Sequence, residues 1–425
     1  MFPLPEKVVR HSTISEYIND PFRFKIVIAG RRSFKSEIAK RRIVTEALKY
    51  GKRRYLIGSP TRAQTKKIYW DNSLPEMFPK YVVKSISESE LKITLTNGTS
   101  IELFSADAVE RIEGGSPVYG CVIDECGDLD IKAVWEKSIS PLLRDVGGWC
   151  YFIGVPRQNQ GIGYKELYHK YKDGTYPNWK CYKWSSADIL QRDEVEEILS
   201  TTDEITYRQE FLGEFAELGG GLAYYGWNPD VHIKNDLVWD KTKPAIITLD
   251  FNVGIMSPEF IQMDSNNDIL IKDEFTDRQT NIFKVGEKIQ TKLVELYGDI
   301  PTAKTKRINF YGDYSGFSNT IASRGSAWEE IKQLFTGWNI DVRVNSNPPI
   351  DRRVSAVNSR LRSADKKIHT YVSPKCKELI ADFRTVSMND LTKDKSKTGD
   401  RTHSSDGFGY FCHYEFPLRS IGMYQ

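Results

Sequence analysis

The sequence lacks the features that mark secreted, membrane-spanning or nucleic-acid-coating proteins. Its six cysteines include no CxxC pair, which is typical of free thiols in a reducing compartment rather than of a disulfide framework or a zinc site. No apolar run approaches the ~18 residues of a membrane span, and the N-terminal stretch has no signal-peptide core. A net charge of +3 excludes a simple polycation. We therefore expect a cytosolic protein with no membrane partner, whose nucleic-acid contacts come from local basic patches.

The composition that remains is that of a globular chain, with 40% apolar and 28% charged residues. A length of 425 residues exceeds one ordinary core and predicts two domains. Residues 25–215 alternate short apolar strands with amphipathic helices, which predicts an α/β domain with a mostly parallel sheet. The expected strands are 25–29, 54–58, 91–95, 100–104, 119–124 and 150–154, with helices at 36–49 and 62–70.

Turn and linker signals divide the chain further. Asn97-Gly98 is a strong two-residue turn signal, and it predicts an antiparallel pair around it. A Gly- and aromatic-rich stretch at 216–243 predicts a linker between a first domain, 1–215, and a second, 244–425. In the second domain we expect strands ending at Asp250 and Asp313, a helix around 282–297 and a final helix-like stretch at 404–416.

The first candidate site is the loop "AGRRSFKS", residues 29–36, between a strand and a helix. Its Lys35-Ser36 ending is typical of a P-loop, in which lysine reaches the phosphates and the hydroxyl holds magnesium. Ala29 and Phe34 replace the two usual glycines, so a plain basic strand–helix turn remains an equal alternative for the loop alone. The candidate ATP-binding residues of the loop are Gly30, Arg31, Arg32, Ser33, Phe34, Lys35 and Ser36.

A second acidic signal strengthens the nucleotide interpretation. "YGCVIDEC" carries an apolar strand into Asp124-Glu125, and parallel sheets bind ligands at such carboxyl ends. Asp124 would hold magnesium through water, and Glu125 would polarise the attacking water. The alternative is that Asp-Glu merely begins a helix. Polar turns at 59–61 and 154–156 follow two further strands, as a ligand crevice at the sheet edge requires.

The second candidate site consists of three separated aspartates. Asp250 and Asp313 end strands, and Asp406 begins the last helix. Three carboxylates at one sheet edge can bind two Mg²⁺ or Mn²⁺ ions, which clamp both oxygens of a phosphodiester displacement. Glu274 is a possible fourth ligand, and His403 can orient a ligand or a phosphate. Taken alone, an aspartate at a strand end more often stabilises a turn than binds a metal ion.

Together, the two halves resemble the large terminase subunit of tailed bacteriophages, a DNA-packaging motor. The segments that carry the resemblance are "AGRRSFKS" (29–36), "CVIDEC" (121–126), "IGVP" (153–156), "YRQEFLGEF" (207–215), "ITLDFNVG" (247–254), "FYGDYSG" (310–316), "DRRVSAVNSRL" (351–361) and "THSSDGFGY" (402–410). The resemblance implies an α/β fold with an ASCE-type P-loop ATPase domain at 1–215 and an RNase H-like nuclease domain at 244–425. A glycine-poor P-loop with an arginine is common in that family.

The resemblance also implies cofactors and partners. The cofactors are ATP with Mg²⁺, and two Mg²⁺ or Mn²⁺ ions at the nuclease site. The partners are double-stranded DNA, a portal protein, a small terminase subunit and further copies of the chain in a ring, expected to be a pentamer, on the procapsid. The place of action would be the host cytoplasm. Arg111 is the expected arginine finger, with Arg144 in reserve. The residues expected to grip DNA are Lys393, Lys395, Lys397 and Arg401.

The sequence differs from the family pattern at two places, and two other functions compete with this interpretation. Val155 replaces the usual threonine of the coupling turn, and the N-terminal arm has no evident adenine-contacting glutamine motif. A helicase–nuclease of DNA repair or recombination would need a second helicase-like domain with its own arginine motif, for which the sequence gives no sign. A structural scaffold with inactive sites would not need acidic and basic residues at the motif positions.

Overall fold

The structure is a computed structural model that describes residues 3–112, 115–156, 162–216, 221–251, 254–318, 326–392 and 402–417. The described chain forms two compact units. One contains 3–195 and 205–216, and the other contains 196–204 and 221–417. The domain boundaries at 215 and 244 stay a prediction. Among the described helices, none is both long and apolar enough to cross a membrane.

The first unit contains an eight-stranded sheet. Its strands are β1 (Phe24–Ala29), β2 (Arg54–Ser59), β3 (Val83–Ser87), β4 (Lys92–Leu95), β5 (Ser100–Ser105), β6 (Val118–Ile123), β7 (Trp149–Gly154) and β8 (Trp179–Trp184). They lie in the order β3-β4-β5-β2-β6-β7-β1-β8, and every pair from β5 to β8 in this order is parallel. The predicted, mostly parallel sheet is therefore confirmed.

The helices and short helical segments up to residue 210 lie before, between and after these strands, and residues 196–204 among them belong to the other unit. The helices in chain order are α1 (Glu6–Arg10), α2 (Ser12–Asn19), α3 (Lys35–Lys49), α4 (Arg62–Thr65), α5 (Ile131–Ala133), α6 (Ser140–Arg144), α7 (Ile162–Tyr171), α8 (Arg192–Thr201) and α9 (Glu204–Glu210). The π-helical segments are Lys66–Trp70 and Val134–Ile139, and the 3₁₀ segments are Pro75–Met77, Lys80–Val82, Ala106–Ile112, Cys126–Asp128 and Ser186–Asp188.

The central strands are buried on both faces, which explains why they are continuous apolar runs. Along β1, Val27 packs into the core on the α3 side, and Ile26 and Ile28 pack on the opposite side with Tyr164 of α7. The predicted turn at Asn97-Gly98 is also confirmed: β4 and β5 are antiparallel, and Gly98 has a φ of 83°, which favours glycine.

The second unit contains a six-stranded mixed sheet and a two-stranded sheet. The strands are β9 (Ala245–Leu249), β10 (Gly254–Met256), β11 (Glu259–Met263), β12 (Ile269–Glu274), β13 (Asp277–Thr280), β14 (Ile308–Gly312), β15 (Ile340–Val342) and β16 (Thr370–Val372). The six-stranded order is β15-β14-β9-β11-β12-β16, while β10 pairs with β13. The β9-β11-β12 strands form an antiparallel meander, and β14 lies parallel to β9 on its other side.

The helices of this unit cover its sheet. They are α10 (Pro229–His232), α11 (Ile282–Tyr297), α12 (Ile300–Thr305), α13 (Ala327–Leu334), α14 (Ile350–Leu361), α15 (Lys377–Thr385), α16 (Met388–Thr392) and α17 (His403–Glu415), and residues Tyr314–Phe317 form a 3₁₀ turn. The predicted helices around 282–297 and 404–416 are confirmed. In the predicted linker, Ala223 and Tyr224 are buried in the second unit's core beside Phe383.

We predict that Gly30→Ala destabilises the first unit. A Cβ atom at this position would collide with the Ser186 hydroxyl and with the Phe211 carbonyl, which is backbone and cannot swing aside. The expected loss in the free energy of unfolding is on the order of 1–3 kcal/mol. Gly163→Ala in α7 is the control, because the nearest atom there is a side-chain methyl 3.3 Å away. Urea unfolding of both variants checks this, and equal stabilities would contradict the packing argument.

Candidate functional site

Four of the predicted polar turns follow four adjacent parallel strands. In the sheet order β2-β6-β7-β1, the carboxyl ends lead into residues 59–61, 124–125, 154–156 and 30–36. Because parallel strands end at the same edge, these segments gather at one edge of the sheet. The crevice expected from the sequence therefore has the strand arrangement it requires.

The loop before α3 is built from left-handed backbone conformations at non-glycine residues. Arg32 has a φ of 58°, and Phe34, the residue that replaces a glycine, has a φ of 64°. Alternating left- and right-handed residues turn successive backbone N–H groups inward, which makes an anion-binding concavity. Phe34 also gives α3 no side-chain cap, so the N–H groups of the first helical turn are left for a ligand.

Lys35 and Ser36 lie where the P-loop interpretation needs them. The buried Lys35 ammonium donates to the Gly30 carbonyl at 3.3 Å, so its side chain folds back over the loop. The Ser36 hydroxyl donates to Asp124 Oδ2 at 2.5 Å. This contact joins the helix that follows β1 to the end of β6, across the intervening β7. The two halves of the predicted nucleotide site thus meet.

Asp124 is fully buried, and its two oxygens accept three hydrogen bonds. Oδ2 accepts from Ser36 and from the Tyr69 hydroxyl at 2.7 Å, and Oδ1 accepts from the Glu125 backbone N–H at 2.8 Å. Burial and the neighbouring Glu125 carboxylate raise the pKa of Asp124, while Lys35 and the two hydroxyls oppose this shift. A cation beside Asp124 would favour the ionised carboxylate and so oppose this shift. The Ser36 and Asp124 oxygens are the kind of donor that magnesium prefers.

Glu125 follows in a left-handed conformation, with a φ of 52°. Its half-buried side chain makes no hydrogen bond or ion pair within the part of the chain that the structure describes. A carboxylate beside the phosphate loop that is not engaged by the protein can bind and polarise a water molecule. This is the role predicted for Glu125.

Carboxylates already neutralise the two arginines of the loop. The Arg31 guanidinium binds Glu210 with Nε–Oε2 at 2.9 Å and Nη2–Oε1 at 3.1 Å. Arg32 forms an ion pair with Glu194 at 2.7 Å. Spacing along the sequence could not indicate these partners, because each lies more than 150 residues away. Phosphate contacts by Arg31 and Arg32 stay a prediction, and they would compete with these ion pairs.

The flanking turns pack closely against the same edge. Thr61 caps α4 with a capping box to Gln64, and the Ser59 hydroxyl lies 2.6 Å from that of Thr65. After β7, a Cβ atom at Gly154 would lie 2.8 Å from the Cys126 backbone nitrogen. The absence of a side chain at Gly154 therefore lets the segment after Asp124 approach β7. Val155 is buried.

In the second unit, two of the three predicted aspartates lie side by side. Leu249 of β9 is directly opposite Gly312 of β14 in a parallel pair, so the next residues, Asp250 and Asp313, end neighbouring strands. Their Cα atoms are therefore separated by about one strand spacing, ~5 Å. Asp313 caps the following 3₁₀ turn by accepting from the Ser315 N–H at 2.7 Å.

The third aspartate reaches the same region from α17. Burial raises the pKa of the Tyr410 phenol; Arg353 opposes this shift, and the carboxylates of Asp250, Asp313 and Asp406 add to it. All three carboxylates therefore act electrostatically on one phenol. Two of them are also held by cationic or imidazole groups: the buried Asp406 forms an ion pair with Arg353, and Asp250 Oδ2 lies 3.2 Å from His403 Nδ1.

The metal centre predicted from these aspartates is not assembled as a coordination site. No group of three or more His, Cys, Asp or Glu side chains among the described residues lies close enough together to hold a metal ion. The donor chemistry suits Mg²⁺ or Mn²⁺, but the Arg353 guanidinium occupies one side of Asp406.

Glu274 belongs to a separate buried acidic cluster. It accepts the Glu378 and Leu379 backbone N–H groups at the start of α15, at 2.5 and 3.2 Å. Its cross-strand partner Glu259 is fully buried, and Asp382 accepts the Ser405 N–H at 3.0 Å. Burial raises the pKa of all three carboxylates, that of Glu274 to about 7. Glu274 is thus engaged by a helix N-terminus.

The structure does not test the residues predicted to bind DNA or to act as an arginine finger. Lys393, Lys395, Lys397 and Arg401 are outside the described residues, and the side chain of Arg111 is not described. Arg144, the reserve arginine finger, is exposed at the end of α6. Their DNA-binding and trans-acting roles stay predictions.

The sequence analysis missed two residues that contact the candidate sites. Tyr69 lies in the predicted helix at 62–70, and Arg353 lies in the segment "DRRVSAVNSRL". A tyrosine in a helix, or one of two neighbouring arginines, does not reveal from the sequence which carboxylate it will contact. Only the fold brings Tyr69 to Asp124 and Arg353 to Asp406.

Comparison with solved structures finds large terminases over almost the whole chain. The large terminase of the thermophilic bacteriophage D6E matches in one crystal form with a TM-score of 0.58 and 13% identity. Its complexes with ADP and with ATP-γ-S match with TM-scores of 0.57 and 0.55, each at 15% identity. Each match covers 97% of this chain and 99% of the other. No protein-family model matches, and no curated protein does.

These matches establish a shared fold. The chain shares the fold of the D6E large terminase, so the predicted α/β fold class, with a mostly parallel sheet followed by a second α/β unit, is confirmed. The ATPase and RNase H-like assignments of the two units stay predictions.

We predict that Glu274→Gln reduces the loss of stability at rising pH. Because the folded-state pKa of about 7 lies above the ordinary value, folding favours the protonated form, and stability falls as pH rises through this window. By linkage the variant should avoid a loss on the order of 3 kcal/mol between pH 4 and 8. Glu259 and Asp382 remain in both proteins, so the difference isolates Glu274. Urea unfolding at both pH values measures it, with exposed Glu287→Gln as control. Parallel pH profiles would contradict the assignment.

Proposed function

We propose that the chain is the ATP-hydrolysing and DNA-cutting subunit of a viral DNA-packaging motor. The observation that carries the ATPase half is the 2.5 Å contact between Ser36 and Asp124, which brings a phosphate-loop helix and a strand-end carboxylate into one site. The likeness of fold to the D6E large terminase, which was solved in complex with ADP and with ATP-γ-S, supports nucleotide binding.

The proposed hydrolysis assigns one task to each side chain. The backbone N–H groups of the loop and Lys35 bind the phosphates, and Ser36 and Asp124 are the residues that would hold Mg²⁺. When bound, that ion would neutralise charge on the β- and γ-phosphates. Glu125, at the mouth of the site, orients and polarises the water that attacks the γ-phosphate. As the water oxygen bonds to the γ-phosphorus, the bond from that phosphorus to ADP breaks, and the proton of the water passes to Glu125 or to solvent.

We expect Glu125→Gln to abolish ATP turnover while leaving ATP binding within about twofold. Removing a general base typically lowers kcat by about 10²–10⁴-fold, whereas glutamine keeps the size of the side chain. Phosphate release with DNA present and isothermal titration with ATP-γ-S measure the two quantities. Exposed Glu88→Gln, which loses only an ion pair with Lys66, is the control. Turnover near the wild-type rate in Glu125→Gln would refute the assignment.

The nuclease half of the proposal rests on the carboxylates at one edge of the second sheet. Asp250 and Asp313 end adjacent strands, and His403 of α17, the helix that also carries Asp406, lies 3.2 Å from Asp250. Oxygen donors in this number suit two Mg²⁺ or Mn²⁺ ions, and such ions would supply charge neutralisation at a scissile phosphate. The chain's own contribution is to hold the carboxylates at strand ends, where a DNA backbone can approach.

We expect Asp250→Asn to lower cleavage of plasmid DNA at least ~100-fold, as loss of a central catalytic group does. Asp236→Asn, an exposed change in the same unit, should cleave like the wild type. Agarose gels with Mg²⁺ or Mn²⁺ measure cleavage, and the ATPase rate of Asp250→Asn should stay unchanged. Undiminished cutting by Asp250→Asn would remove the aspartates from the nuclease.

The proposal also includes the partners that a DNA-packaging motor needs. Double-stranded DNA is the substrate of both halves, and a portal protein, a small terminase subunit and a ring of identical chains are the assembly partners, in the host cytoplasm. The antiparallel β9-β11-β12 meander of the second unit weighs against the helicase–nuclease alternative, since a second helicase domain would repeat a parallel nucleotide-binding sheet.

A further inference from the structure

Tyr69 is a fully buried tyrosine whose hydroxyl binds the central carboxylate of the nucleotide site. Its OH donates to Asp124 Oδ2 at 2.7 Å, and its ring packs in the core between α3 and the sheet. A buried phenol needs a hydrogen-bond partner, but any main-chain carbonyl would satisfy that need. Tyr164, for example, donates to the Val27 carbonyl at 2.7 Å. The partner of Tyr69 is instead the side chain predicted to hold magnesium.

The backbone around Tyr69 departs from regular helix. Residues Lys66–Trp70 form a π-helical segment directly after α4. A π-turn inserts an extra residue into a helix and re-aims the side chains that follow, and such turns concentrate at functional sites. Thr65, the residue before the segment, is fixed by its bonds to Ser59 and to the Phe104 carbonyl, at 2.6 and 3.0 Å. The segment that carries Tyr69 is therefore anchored to the end of β2 and aimed at the end of β6.

Tyr69 and Ser36 donate to the same oxygen of Asp124, but only Tyr69 keeps that hydrogen bond when a magnesium ion binds in the proposed mechanism. In the proposed mechanism the Ser36 hydroxyl turns to the metal, so it can no longer hold Asp124. Among the described residues, Tyr69 is then the remaining side-chain donor to that carboxylate. Without it, Oδ2 of a fully buried carboxylate would have no hydroxyl donor, and the side chain could rotate away from its binding orientation.

We propose that Tyr69 is a positioning residue for Asp124, which holds the carboxylate in the orientation that receives the magnesium ion of MgATP. This inference rests on the proposed ATPase function. It predicts a defect in the dependence of nucleotide binding on Mg²⁺, whereas a tyrosine that only fills the core would affect the stability of the fold alone.

Tyr69→Phe tests this, because it removes one oxygen and keeps the ring. The chain offers a matched control in Tyr55→Phe. Tyr55 is equally buried in the same core and donates to a carboxylate, Glu46 Oε2, at 3.2 Å, but that carboxylate lies outside the site. Each variant loses one buried hydrogen bond to a carboxylate, so their thermal midpoints should fall by similar amounts.

The measurement is binding of ATP-γ-S to the full chain by isothermal titration, first in EDTA and then at increasing free Mg²⁺. In Tyr69→Phe we expect binding in EDTA to equal that of the wild type, and the Mg²⁺ concentration for half-maximal enhancement to rise by ~10-fold, as for other lost partners of metal ligands. Tyr55→Phe should keep the wild-type Mg²⁺ midpoint.

Four outcomes would overturn the inference. An unchanged Mg²⁺ midpoint in Tyr69→Phe, or an equal shift in Tyr55→Phe, would mean that the Tyr69 hydroxyl has no specific role at Asp124. Loss of folding in Tyr69→Phe but not in Tyr55→Phe would assign the hydroxyl to the core. Failure of the wild type to bind ATP-γ-S at any Mg²⁺ concentration would overturn the proposed function, and with it this inference.

Discussion

The first unit depends on a carboxylate that the sheet buries completely. An ionised carboxylate without partners inside a protein is strongly unfavourable, and Asp124 avoids this cost by accepting from Ser36, Tyr69 and the Glu125 N–H. These donors come from three separate segments, which follow β1, β2 and β6. The bare Gly154 at the end of β7 allows the segment after Asp124 to approach closely. Satisfying one acidic group thus fixes the relative positions of the loops at this edge of the sheet.

In the second unit a buried carboxylate is stabilised by an ion pair rather than by neutral hydrogen-bond donors. Asp406 is neutralised by Arg353, whose stem packs so closely on α17 that a Cβ atom at Gly409 would collide with it. Burial alone would lower the pKa of Arg353, but Asp406 and its other acidic neighbours raise it overall. A guanidinium beside Asp406 and near Asp250 provides the positive charge that divalent ions would otherwise supply. This is a physical reason why aspartates at the right strand ends do not form a coordination group in this conformation.

The sequence predicted the sheet better than the sites. Strands such as β1 and β7 were located to within about a residue, because burial on both faces makes them continuous apolar runs. Strand β3 was missed: it is an edge strand whose residues are half-buried or exposed, so it has no such run. For the site, Lys35, Ser36 and Asp124 followed from strand-end chemistry. Tyr69, Glu194 and Glu210 could not be predicted, because tertiary contacts select them and no local pattern does.

Three residues at the same edge have a strained backbone. Arg32, Phe34 and Glu125 all have positive φ values without being glycine, and a left-handed residue of this kind costs about 1–2 kcal/mol. Glycine at position 34 would relieve this cost, yet the chain has a phenylalanine whose ring packs against the core. The packing of that ring, the Arg31–Glu210 and Arg32–Glu194 ion pairs and the Asp124 hydrogen bonds together hold the loop in its strained shape. The missing P-loop glycines therefore do not argue against a phosphate site, because tertiary contacts impose the conformation that glycine would otherwise permit.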